Sequence, residues 1–188
     1  MEDSLAFRGV VDIQVWEAGA LLQEQSVANK ITLRGRTAFL LLLAQAGSTS
    51  LSSYKLTKLV PGTNNTPVSV QDQGVLAPIA EAKHITLNDA SVTLNEAAQE
   101  LVITGTLPSG GGSGEVLTEA GLVLANGQLF ARMVHAATLP WTGTRSVAYT
   151  WRVRAIITLF LSAAVMYSSR RLGIQSRNSR TSRSQPLG

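Results

Sequence analysis

Apolar and polar residues alternate along G-V-V-D-I-Q-V-W at 9–16, with Val11, Ile13 and Val15 on one side and Asp12 and Gln14 on the other. A period of two belongs to a strand with one buried face. Glu17-Ala18-Gly19-Ala20 reads as a turn, and L-L-Q-E-Q-S-V-A returns as the partner strand, so the chain opens with a hairpin. The pattern then changes. Over 34–46, R-G-R-T-A-F-L-L-L-L-A-Q-A, leucine and alanine dominate and β-branched residues nearly vanish, which is helix composition. Thr32 stands where an N-cap belongs and Gly47 where a C-terminal cap belongs. The four leucines Leu40 to Leu43 leave little polar face, so the pattern predicts one substantial and largely buried helix.

Beyond a Ser/Thr-rich spacer at 48–53, Y-K-L-T-K-L-V alternates as a strand, and Pro61 to Pro67 reads as a loop. Short β-like runs follow at 82–87, 90–95 and 100–107, the last with Leu101, Ile103 and Leu107 on one side. P-S-G-G-G-S-G at 108–114 is a flexible loop. A phosphate-binding loop would end in Gly-Lys-Ser/Thr and open a helix, whereas here Glu115 and a strand-like run follow. In E-A-G-L-V-L-A-N-G-Q-L-F-A-R-M-V at 119–134, Asn126-Gly127 separates two apolar runs. That dipeptide is a strong hairpin signal, with both residues expected at positive φ and strands over 120–125 and 128–135. After a loop at 136–144, a long last strand puts Val147, Tyr149, Trp151, Val153 and Ala155 on one face and Ala148, Thr150, Arg152 and Arg154 on the other. Many short strands with one helix predict a mainly β fold, a jelly-roll-like antiparallel β-sandwich with one short buried helix. The body spans 1–160, and a basic Ser/Arg-rich C-terminal extension spans 161–188.

Composition narrows the classes. The 188 residues are 45% hydrophobic, enough for one proper core. The net charge of +4 belongs to the tail: residues 1–154 hold 11 Lys and Arg against 12 Asp and Glu, and Arg170, Arg171, Arg177, Arg180 and Arg183 follow. A nucleic-acid-binding fold would carry its basic residues on a structured face, so this distribution argues against one. Without cysteine there are no disulfides and no thiolate metal sites, and His84 and His135 lie far apart, so no metal or cofactor is expected. The apolar run 155–167 is short of the roughly 20 residues that a spanning helix needs, and M-E-D-S-L-A-F-R has no apolar leader segment.

Candidate chemistry is sparse. Neither histidine sits beside a nucleophile motif, and the carboxylates form no D-x-D or E-x-x-H cluster. Glu96 and Glu100 flank a turn at 97–99, where a carboxylate is expected to be solvated. Glu119 is the most interesting acid, because it begins an otherwise apolar strand. It is either a general acid with a burial-raised pKa or an anchor paired with Arg132 across the hairpin. With no second catalytic group in view, the anchor is favoured. Glu119, Gly121, Asn126 and Gly127 are therefore read as hairpin-forming residues, and no enzymatic activity or small-molecule substrate is expected. Trp141 is the one aromatic placed for stacking on a glycan, should the sandwich be a carbohydrate-binding module.

The order of parts resembles a family of small tailed-phage virion proteins of the tail-fibre, tail-collar or baseplate type. The resemblance runs over 9–154: G-V-V-D-I-Q-V-W with V-A-N-K-I-T-L-R-G-R-T-A-F-L-L-L-L-A, then Y-K-L-T-K-L-V-P-G-T-N-N-T-P with D-Q-G-V-L-A-P-I, then the 119–134 hairpin and the closing W-R-V-R strand. It departs where Gly-Thr-Gly would stand, which here is Gly62-Thr63-Asn64, and in the added C-terminal residues. The resemblance implies a structural virion protein without catalytic residues, made in the host cytoplasm, that assembles with itself, as a trimer, and with other virion proteins. The five tail arginines would then form an assembly arm. Such an arm, suited to lacing over an acidic capsid, keeps a capsid decoration protein as the alternative.

Overall fold

The computed structural model describes residues 3–44 and 51–159. The chain divides into two compact units, Ala6–Ile156 and Met1–Leu5 with Ile157–Gly188. The first is the β body. The second lies mostly outside the described residues, and with it the arginines of the expected arm.

Among the described residues nine strands form one antiparallel sheet: β1 (Asp3–Glu17), β2 (Ala20–Ile31), β3 (Leu56–Gly62), β4 (Ile85–Thr86), β5 (Val92–Asn95), β6 (Glu100–Leu107), β7 (Glu115–Leu124), β8 (Leu129–Trp141) and β9 (Arg145–Leu159). Their order is β4-β3-β7-β8-β2-β1-β9-β6-β5. Register shifts at Val15/Trp16, Leu56/Lys58, Leu117/Glu119 and Leu122/Val123 add local twist and bend the strands. The sheet curls until β6 lies against the β3–β4 end. A Cβ added to Gly105 of β6 would stand 3.1 Å from Ile85 and 3.3 Å from Leu59. Between the facing walls lies the core, with Val11, Ile13 and Val15 of β1, Ile103 and Leu107 of β6, and Val147, Tyr149 and Trp151 of β9. Each such side chain contributes about 1.5–3 kcal/mol on burial, so the alternation read from the sequence carries most of the fold.

The first hairpin closes as expected, with Ala18 and Gly19 both at positive φ. The second differs. Only Gly127 has positive φ, at 79°, and the Leu124 amide donates to the Gln128 carbonyl at 2.9 Å. Ala125-Asn126-Gly127 is thus a three-residue loop with glycine in the left-handed position, not a two-residue turn. The amides of Ala125 and Asn126 donate to the carbonyls of Lys55 and Ser53, and this outside support favours the longer loop.

Helix α1 (Leu33–Ala44) is present and Thr32 caps it, its hydroxyl accepting from the Gly35 amide at 3.0 Å and donating to the Leu129 carbonyl at 2.6 Å. The expectation of a largely buried helix fails. Gly35 and Ala38 meet the sheet, while Leu33, Leu40 (57% exposed) and Leu42 remain exposed. Close approach explains the narrow contact, because a Cβ at Gly35 would run into the Phe130 carbonyl, so the helix rests on a stripe of small residues. The expected cap Gly47 and the last two helical residues lie outside the described residues.

Candidate functional site

Glu119 does not start its strand. β7 begins at Glu115, and the shift between Leu117 and Glu119 inserts an irregularity in mid-strand. That shift keeps Leu117, Ala120, Leu122 and Leu124 in the core and turns Glu119 to the opposite face. Arg132 of β8, directly across from Gly121, shares that outer face. Both side chains are nonetheless 0% exposed, because the 63–80 segment folds over them.

The contacts are dense. Arg132 Nε donates to Glu119 Oε2 at 2.6 Å, Nη1 to Asp72 Oδ2 at 2.9 Å, and Nη2 to the Thr66 carbonyl at 3.1 Å. Glu119 also accepts from the amides of Ala77 at 2.7 Å and Leu76 at 3.2 Å. Backbone bonds from Thr63 to Ala77 and from Ile79 to Pro61 stitch the ends of the segment to β3. Two glycines make room. A Cβ at Gly121 would stand 2.7 Å from Val75, and one at Gly62 would stand 2.7 Å from both the Ala77 carbonyl and Glu119 Oε1. The expected Glu119–Arg132 pair is therefore real, and it belongs to a clamp that fastens a long loop to the sheet. Both carboxylate oxygens of Glu119 are taken up by donors from the protein itself.

The histidines also serve the backbone. His84 Nε2 lies 2.9 Å from the Ile79 carbonyl, beside the end of the clamped segment. His135 Nδ1 lies 3.0 Å from the Leu117 carbonyl, at the β7 irregularity, and a carbonyl can only accept, so Nδ1 carries the proton. Among the described residues its Nε2 has no partner, and the Tyr149 ring lies 5.9 Å away with its own hydroxyl likewise unpartnered there. Burial lowers the His135 pKa to about 4, against the opposing pull of the Leu117 carbonyl and the Glu119 charge. Burial raises the Tyr149 pKa. Among the described residues no three His, Asp or Glu side chains are grouped to hold a metal ion.

Two expectations are corrected here. Glu100 is buried beside its turn instead of solvated, bound by Arg154 at 2.8 Å with Arg152 at 3.8 Å. Arg152 also pairs with Asp12, so the arginines of β9 are matched by carboxylates on both flanking strands. Pairing of Glu100 directly opposite Arg154 in the β6–β9 register is what sequence reading missed. Trp141 is a residue of β8, not of a loop, and is 1% exposed. Its indole donates to the Pro108 carbonyl at 3.2 Å, the Lys83 ammonium sits 5.4 Å from its ring, and Gly111 and Gly112 press against it. No face is open to stack on a sugar. Lys83 in turn pairs with Glu115 and holds its carboxyl below the ordinary range.

Clefts open among the described residues, one of about 380 Å³ over Arg8, Val10, Glu100, Arg152 and Arg154. Another of about 350 Å³ lies over His84, Thr106 and Trp141. An apolar one of about 240 Å³ lies between α1 and the β5–β6 end, lined by Phe39, Leu42, Tyr54, Val92 and Leu101. Comparisons with known protein families, with curated proteins and with solved structures returned no match.

Proposed function

We propose that this chain is a non-enzymatic structural component of a tailed-phage particle, of tail-fibre or baseplate type, that assembles with copies of itself and with other virion proteins. The observation that carries this reading is where the resembling segments fall. Pieces scattered over 9–154 become β3, β7, β8, β2, β1 and β9, six consecutive strands of one sheet, together with the capped helix beside them. These segments thus form one contiguous part of the sheet, which supports reading them together.

The clamp supports the same reading. Charged groups in the strands are spent on fastening the 63–80 loop, which stiffens a part whose work is to keep its shape. Exposed leucines on α1 and β5 offer apolar surface for neighbours. The C-terminal arginines would add a laced contact, with affinity gained through effective concentration.

Copy number in purified particles tests the proposal. A handful of copies located at the tail is the expected result. Hundreds of copies would move the protein to the capsid as a decoration protein, and absence from particles would remove the virion reading.

A further inference from the structure

The sheet ends on one side at β5, V-T-L-N, with no strand beyond it among the described residues. Natural edges are blunted by lysine, proline, charge or a bulge. The other edge, β4, is only two residues long and has the Lys58–Glu81 ion pair beside it. β5 is also short, at four residues, but it carries no lysine, proline, charge or bulge, and its Leu94 is 65% exposed.

The direction of its backbone groups can be read from the register. Ser91 lies one step before the Val92↔Ile103 pair, and its carbonyl accepts from the Thr104 amide at 2.8 Å. Bonded and non-bonded pairs alternate in an antiparallel ladder, so Thr93 and Asn95 bond to β6. Val92 and Leu94 therefore point their N–H and C=O groups outward, at the open edge. Both ends of this edge are preset. Asn88 Oδ1 accepts from the amides of Ala90 and Ser91, and Asn95 Oδ1 accepts from the Ala98 amide. A rigid edge loses little entropy on pairing.

We infer that β5 is a self-association seam, pairing antiparallel with β5 of a second copy about a two-fold axis at Thr93. Backbone groups that point away from β6, with no strand beyond them among the described residues, suit an extended partner, and the sequence of β5 is complementary to itself. With Thr93 opposite its own copy, Val92 of each chain faces Leu94 of the other. The four outward-pointing residues of the two strands then exchange both their bonds. Val92 and Leu94 of both copies share one face, next to the apolar cleft of Phe39, Leu42 and Leu101, and the two threonines share the other. Shifting the axis by half a residue would set Val92 against Asn95, whose groups already bond to β6. The inference rests on the proposed function only in taking a second copy as the partner. A two-fold seam joins copies in pairs, so the trimer expected from the resemblance would need a different surface.

The absence of cysteine makes the test direct. In this seam Thr93 occupies a non-bonded pair with Cα atoms about 4.5 Å apart, within disulfide range. On mild oxidation Thr93→Cys should form a covalent dimer at least about tenfold faster than Asn95→Cys, whose own copy lies several residues away along the seam. Leu94→Pro deletes an outward N–H and leaves the bonds to β6 in place. It should convert the dimer to a monomer in light scattering from about 1 to about 200 micromolar, with the melting curve retained. Leu94→Lys should do the same by charge if the proline variant does not fold. The seam is overturned if the wild-type chain stays monomeric over that range, if Thr93→Cys and Asn95→Cys cross-link at equal rates, or if Leu94→Lys remains dimeric. Cross-linking by a protein absent from particles would support the seam and remove the virion reading. Presence in particles without cross-linking would do the reverse.

Discussion

Replacing Glu119 by glutamine changes one oxygen to NH₂ and removes one charge, with almost no change of shape. Glu119 Oε1 accepts from the Ala77 amide, and Oε2 accepts from Arg132 Nε and the Leu76 amide. Whichever way the new amide is turned, its NH₂ meets a donor. The milder orientation puts it against Ala77, sacrificing that bond and weakening the hold on Arg132. Arg132 would keep Asp72 and the Thr66 carbonyl but lose its fully buried counter-charge. Breaking a buried ion pair from one side costs about 3–5 kcal/mol, against about 5–15 kcal/mol for a whole domain. At about 2–4 °C per kcal/mol for a chain of this size, melting should fall by about 6–20 °C. The double variant Glu119→Gln/Arg132→Met leaves no orphaned cation. It should be less destabilised than the two single costs added together, by at least about 1 kcal/mol. Urea denaturation of the four proteins measures this coupling. A loss below about 1 kcal/mol for Glu119→Gln, or strict additivity in the double variant, would refute the clamp as a unit of stability.

Further outcomes follow from individual contacts. His135 is buried neutral with a folded pKa of about 4, below the 6.5 of the free side chain, so between those values the unfolded chain binds more protons and stability rises with pH. Taking the protein from pH 7 to pH 4 should cost about 3 kcal/mol from this residue, and His135→Phe should flatten that part of the urea midpoint profile. Thr32→Ala removes the cap on Gly35 and the donor to Leu129, which should cost about 1–2 kcal/mol and speed amide exchange in the first turn of α1. Gly62→Ala places a methyl against both the Ala77 carbonyl and the Glu119 carboxylate. It should cost about 1–3 kcal/mol and open 63–80 to limited proteolysis, and unchanged protease resistance would argue against close packing there.

Local periodicity and turn chemistry made much of the fold legible. Strict alternation assigned the inward faces of β1 and β9, because a half-buried strand has no other way to place its apolar residues. Thr32 was readable as a cap, and Glu119 with Arg132 as a cross-hairpin pair, since these contacts lie close in sequence. What failed depended on distant chain. The partners that complete the clamp, Asp72 and the Thr66 carbonyl, come from a loop about sixty residues before Arg132, and nothing local announces that it folds over β7 and β8. Leucine content predicted a buried helix, but how much of a helix is covered depends on what the sheet presents to it, and here that is a narrow strip at Phe130. Trp141 shows the same division. Proline and glycine around it read as a loop, while β7 on one side and the 108–112 segment on the other draw it into a strand and cover its ring. By itself the sequence determined the inward faces of the strictly alternating strands and the place of the helix and its cap, because those choices rest on neighbours one to four residues apart. Only the tertiary structure decided which charges meet, which apolar residues stay outside and which strands end the sheet, because those depend on surfaces brought together by the curl of the sheet.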